Sequence, residues 1–326
     1  MWGLWPSCYE TREEGCAAFS SIVIRVAEVP ELIRHIRFAK WSVLAAVAVV
    51  AVAYFLQDGF VRICLTSLKH FVPFAKAPAP NVLTNSGYLR VVVCRLIWWV
   101  LISCLVFRID PESLAQIVTL RSRATREFLG GLAIGVIVMA AIILSTVVVG
   151  DAYLTHAPGS SWEHVVFGAR WLIAEIIGAA GEELLYRGLI FLLAARLIGA
   201  PGGAIVSALI FVLDHGGNPG ASTVWMVRLF AAGLLLSYSV VRSKALWWAI
   251  GYHAGWNFGS APTFGAVGSG YINQGHILTY IPVGPKLMTG GSAGPEGSVL
   301  AFVAVLIAAC ALIVTVPSAE QTSKLL

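Results

Sequence analysis

The chain has 326 residues, of which 58% are hydrophobic and only 12% charged, with a mean hydropathy of +0.82. Soluble proteins carry roughly 25% charged residues, so this chain cannot coat a water-facing surface; a soluble enzyme and an intrinsically disordered protein are both excluded. The net charge of +5 comes from 22 basic and 17 acidic residues scattered through short loops, which is the pattern of a membrane protein's cytoplasmic loops and not of a nucleic-acid binder.

Residues 1–40 lack the uninterrupted apolar stretch of a signal peptide. Ile22, Val26, Val29, Ile33 and Ile36 recur at steps of three and four, with Arg25, Glu28, Glu31, Arg34, Arg37 and Lys40 on another face. That pattern predicts a cytoplasmic or interfacial segment whose amphipathic helix lies on the bilayer or packs on the bundle ends, kinked or restarted at Pro30. Crossing a ~30 Å hydrocarbon layer takes about 20 apolar residues. Within 41–150 such runs occur near 41–57, 91–107 and 128–150, predicting three spans. A denser apolar block follows, broken at Gly199-Ala200-Pro201, Gly216-Gly217-Asn218-Pro219 and Arg242-Ser243-Lys244. These breaks divide it into helices near 165–198, 202–215, 222–241 and 245–260. A glycine-rich loop over 259–297 and a last span near 298–316 complete a 151–326 core. The expectation is an all-α, polytopic membrane protein of about eight transmembrane helices. Every second loop is basic, at Arg108 to Arg126, Arg196 and Arg242 with Lys244, which puts both termini in the cytoplasm. The six cysteines show neither a CxxC pair nor a disulfide ladder.

Ionised side chains are costly inside a span, at roughly 2.5–3.5 kcal/mol each, yet Glu182, Glu183 and Arg187 lie within two turns of one apolar helix. Glu183 and Arg187, four residues apart, share a face and can offset one another. A salt bridge that only fixes helix packing accounts for those two but leaves Glu182 without a partner on its own helix. Two histidines follow on other helices. Phe211 and His215 form an FxxxH motif, and His253 and Asn257 an HxxxN motif whose spacing aligns both side chains. Measured along each helix from the cytoplasmic turns, Glu182, His215, His253 and Asn257 all come to about 14–21 Å. They can meet in one cavity if the helices are neighbours.

EExxxR, FxxxH and HxxxN, in that order on successive helices over about 165–260, resemble the CPBP family. These are the CAAX-protease and bacteriocin-processing intramembrane proteases, also known as the abortive-infection family. The segment from Leu287 to Gly297 is similar to one in many bacterial members, whereas Asp214, beside His215, is not part of the motif. The resemblance implies hydrolysis of a membrane-associated or lipidated peptide without a nucleophilic Ser or Cys. By it, Glu182 and His215 would activate a water, His253 and Asn257 would stabilise the oxyanion, and Arg187 with Glu183 would hold the carboxylate helix in register. No cofactor is expected. Zinc on Glu182, His215 and His253 is the alternative, although no HExxH occurs and Asn is a poor zinc ligand. The competing function classes are a catalytically silent membrane scaffold or immunity protein and a transporter, which would more often show inverted repeats. The partners implied are the lipid bilayer and a membrane-associated peptide or protein, with no nucleic acid.

Overall fold

The computed structural model of the protein describes residues 41–68, 79, 81–111 and 123–317; the expected interfacial helix within 1–40 lies outside them. Helix α1 runs Trp41–Leu68. A two-residue strand β1 (Val82–Leu83) precedes α2 (Asn85–Ile109), whose start is fixed by Thr84 accepting a hydrogen bond from Gly87 N. Helix α3 (Ala124–Val148) leads into β2 (Ala152–His156). Helix α4 (Ser161–Glu183) starts with a reciprocal cap: the Ser160 hydroxyl accepts from Glu163 N, and Glu163 accepts from Ser160 N.

The same helical run continues as a π-helical segment (Leu184–Phe191) and then α5 (Leu192–His215). Its 55 residues would stretch about 80 Å at ~1.5 Å each, far beyond one membrane crossing. Gly199 resolves this: at φ 81° it leaves the helical region and breaks the run, with Pro201 starting the next helix beyond it. Helix α6 (Thr223–Ser243), capped by Ser222, and α7 (Trp247–Phe264) follow, and α9 (Leu300–Thr315) comes last. By length and composition five helical runs can cross a membrane: α1, α2, α3, α4–α5 and α6. Divided at Gly199 and joined by the shorter α7 and α9, they give the all-α polytopic architecture expected from the sequence. Phe55, Ile63, Val148, Leu306 and Val314 face outward, an apolar exterior suited to lipid and not to water.

Two differences from the sequence expectation stand out. The stretch taken as a glycine-rich loop over 259–297 begins inside α7, which extends to Phe264. Beyond it come β3 (Ile272–Asn273), β4 (Leu278–Pro282), the single turn α8 (Lys286–Thr289) and two 3-10 turns. Strand β4 pairs antiparallel with β2, Leu154 opposite Tyr280, and β3 pairs parallel with β1. The segment is thus a structured cap across one end of the bundle.

Helices α3 and α7 touch backbone to backbone. A Cβ on Gly131 or Gly135 would run into the carbonyls of Trp248 and Tyr252, and one on Gly251 or Gly255 into those of Phe128 and Leu132. Small residues four apart on both helices permit this approach, and on α7 they bracket His253. The buried cluster around Met139, Trp248, Tyr252 and Trp256 is built on this contact; a second cluster, with Trp99, Tyr186, Phe211 and Trp225, joins α2, the π segment, α5 and α6. Gly255→Ala is expected to lower the protein's stability in detergent by about 1–3 kcal/mol, the range of an overpacked core. An unchanged melting temperature would contradict the backbone contact.

Candidate active site

Glu182 is the penultimate residue of α4 before the helix changes to π geometry. π segments fall often at functional sites because the extra residue per turn redirects side chains. Here the loosened backbone is compensated locally: the Tyr186 carbonyl accepts a hydrogen bond from Ser207 Oγ at 2.8 Å. The Glu182 Oε2 atom is buried with no hydrogen-bond partner among the described residues. It lies 3.9 Å from His215 Nε2 on α5 and 3.8 Å from His253 Nε2 on α7.

Each histidine is held through its other nitrogen. His215 Nδ1 lies 2.8 Å from the Phe211 carbonyl, one turn back on α5. A carbonyl can only accept, so Nδ1 carries the hydrogen and Nε2 of the neutral ring presents a lone pair towards Glu182. His253 Nδ1 lies 2.7 Å from Glu183 Oε1. Phe211 itself stands among these groups, with ring centroid distances of 4.5 Å to His215 and 6.0 Å to His253, and with the Arg187 guanidinium 4.5 Å away. The FxxxH spacing therefore supplies both the carbonyl that orients His215 and an aromatic face for Arg187.

Glu183 and Arg187 are fully buried and paired at 3.0 Å. Sequence spacing anticipates this pair but not its extension to His253, which makes Glu183 the bridge between Arg187 and the α7 histidine. Asn257 lies one turn beyond His253, but its Nδ2 is turned to another carboxylate, donating to Glu175 Oε2 at 3.2 Å. Tyr88 of α2 donates to the same oxygen at 3.1 Å. Glu175 was not among the residues expected from the motifs. The signal was present: it lies seven residues before Glu182, two turns along the same face, as a lone acid in an apolar run.

Polar groups to which the motifs assign no role are also paired. Asp214 accepts from Tyr54 Oη at 2.6 Å and Tyr186 Oη at 2.5 Å. Glu296, in the cap, pairs with Arg228 of α6 at 2.6 Å, accepts from Trp256 Nε1 at 3.1 Å and also accepts from Ser269 N. That buried knot ties the cap to α6 and α7.

Two cavities flank the histidine–glutamate contact. One, of about 380 Å³, is lined by His215, His253, Asn257, Arg228 and Glu296; the other, of about 460 Å³, by Glu182, Tyr88, Arg95, Gln57 and Asp214. The donor set fits zinc poorly. Tetrahedral ligands at about 2.0–2.1 Å from the metal lie about 3.4 Å apart, closer than the 3.8 and 3.9 Å separations at Glu182. The described residues contain no group of three or more His, Cys, Asp or Glu placed to hold a metal. The spacing suits a water, which reaches its partners at about 2.8 Å.

Residues 162–259 match the family model described as type II CAAX prenyl endopeptidase Rce1-like. Comparisons with curated proteins and with solved structures gave no match. The matched stretch runs from the start of α4 through most of α7, and so contains Glu182, His215 and His253 where they converge. By this match the chain is an integral membrane protein of the CPBP family, the CAAX-type endopeptidases.

Proposed function

We propose that the chain hydrolyses a peptide bond of a membrane-associated or lipidated substrate, using a water activated by Glu182 and His215. The observation that carries this reading is the Glu182 carboxylate oxygen, buried, without a hydrogen-bond partner among the described residues, and facing two imidazole Nε2 atoms. A water bound there gives its hydrogens to Glu182 Oε2 and His215 Nε2, which turns an oxygen lone pair towards the scissile carbonyl. As the water oxygen attacks the carbonyl carbon, its proton passes to Glu182. It is then delivered to the leaving amide nitrogen as the C–N bond breaks.

The negative charge on the carbonyl oxygen needs donors at the same depth. Asn257 has two N–H bonds, and Glu175 with Tyr88 engages one, which fixes the amide's orientation and leaves the other for the oxyanion. His253, steadied by Glu183, is the second donor when its ring is protonated. Arg187 balances the Glu183 charge. Eight crossings leave both chain ends on one side, and Arg196, Arg242 and Lys244 mark that side as cytoplasmic.

The geometry favours this metal-free centre over zinc. Purified, active protein is expected to contain no stoichiometric zinc and to keep its activity after chelation. Asn257→Ala is expected to lower kcat by about 10²–10³-fold with KM nearly unchanged, because its bond to the oxyanion forms in the transition state. One zinc per active chain, with activity lost on chelation and restored by metal, would overturn the mechanism. A rise in KM alone would remove Asn257 from the oxyanion site.

A further inference from the structure

Arg95 lies near the middle of α2, about 15 Å from Asn85 and about 21 Å from Ile109 along the helix axis. A guanidinium at that depth is expensive and calls for an anion close by. Its Nε is buried without a hydrogen-bond partner among the described residues. Its acidic contact is with Asp58 of α1, at 3.9 Å, too long for a hydrogen bond, and that carboxylate is 76% exposed. Arg95 also lines the cavity that Glu182 lines, and the other ionisable groups named there, Glu182 and Asp214, are acids.

We propose that Arg95 is the counter-ion for the terminal carboxylate of the substrate peptide, which enters the cavity between α1, α2 and α4 and presents its last peptide bonds to Glu182. The inference rests on Glu182 being the proteolytic base. A peptide backbone inside the bilayer offers neutral amides, which cannot balance a guanidinium; a carboxylate can, through two parallel charge-assisted hydrogen bonds. A lipid phosphate belongs at the interface, well above mid-span. The two acids in the cavity repel a carboxylate from every berth but the one at Arg95. Asp214, already accepting from two tyrosines, does not compete for the guanidinium. Recognition of this kind directs cleavage to a bond near the substrate's C-terminus.

The test uses the full chain in phosphatidylcholine nanodiscs and three apolar peptides labelled at the amino end. One ends in a free carboxylate, one in a carboxamide, and one in a carboxamide with an internal Glu. The wild type should bind the carboxylate peptide at least tenfold more tightly than either carboxamide. Arg95→Gln should abolish that preference, Arg95→Lys should keep part of it, and Asp58→Asn should keep all of it. Equal binding of the peptides, no binding of any, or the same loss in Asp58→Asn as in Arg95→Gln would overturn the assignment; the last would make the pair structural. Tight binding of the internal-Glu carboxamide would overturn the terminal carboxylate as the ligand. Hydrolysis of all three at one rate would remove Arg95 and leave the protease reading intact. Carboxylate-selective binding with hydrolysis of none would do the reverse.

Discussion

Glu182→Gln is expected to lower peptide hydrolysis by about 10²–10⁴-fold, the contribution of a positioned general base, while the protein stays folded and inserted. Glutamine keeps the shape of the side chain but cannot take a proton from water. The substitution also removes a charge whose Oε2 has no hydrogen-bond partner among the described residues, so it relieves a burial cost and exposes no charge elsewhere. Hydrolysis rates and a thermal melt in the same detergent check both halves. Retained cleavage by the purified variant would remove Glu182 from the base role.

Arg187→Ala should have the opposite profile, with its first effect on stability. The side chain is fully buried; it donates to Glu183 Oε1 at 3.0 Å and lies over the rings of Phe211 and Tyr186. Its removal leaves the fully buried Glu183 carboxylate without its cation, a loss of about 3–5 kcal/mol, and a cavity beside Phe211 adds to it. Because Glu183 also holds His253 Nδ1, surviving molecules should lose activity as well. Yield and melting temperature should therefore fall well below those of Glu182→Gln. Equal stability of the two variants would contradict the pairing.

Much of the fold and the site was legible in the sequence because lipid imposes long apolar runs and makes each buried charge conspicuous. The spans, the break at Gly199, and the cluster of Glu182, Glu183 and Arg187 followed from composition and spacing alone. The resemblance then singled out His215, His253 and Asn257, and the fold brings the two histidines onto Glu182. What stayed hidden depended on partners distant in the chain. Glu175 gains its place only when α7 delivers Asn257 and α2 delivers Tyr88, and Asp214 only when Tyr54 and Tyr186 meet it. The π segment escaped because a shift from i→i+4 to i→i+5 bonding leaves no mark on hydrophobic periodicity. The β2–β4 ribbon escaped because five-residue strands within a glycine-rich stretch look like loop. The contact between α3 and α7 is written in Gly131, Gly135, Gly251 and Gly255, but which glycines face each other is a property of the packed pair.

Whether the contact between Glu182 and two imidazoles is a proteolytic centre is tested most directly in the membrane itself. The measurement compares protein termini in membranes of cells producing the wild type or Glu182→Gln at equal level. A proteolytic centre predicts a defined set of membrane-associated proteins whose new termini appear with the wild type and are absent with Glu182→Gln. Identical sets of termini in the two membranes, with both proteins folded and inserted, would contradict it.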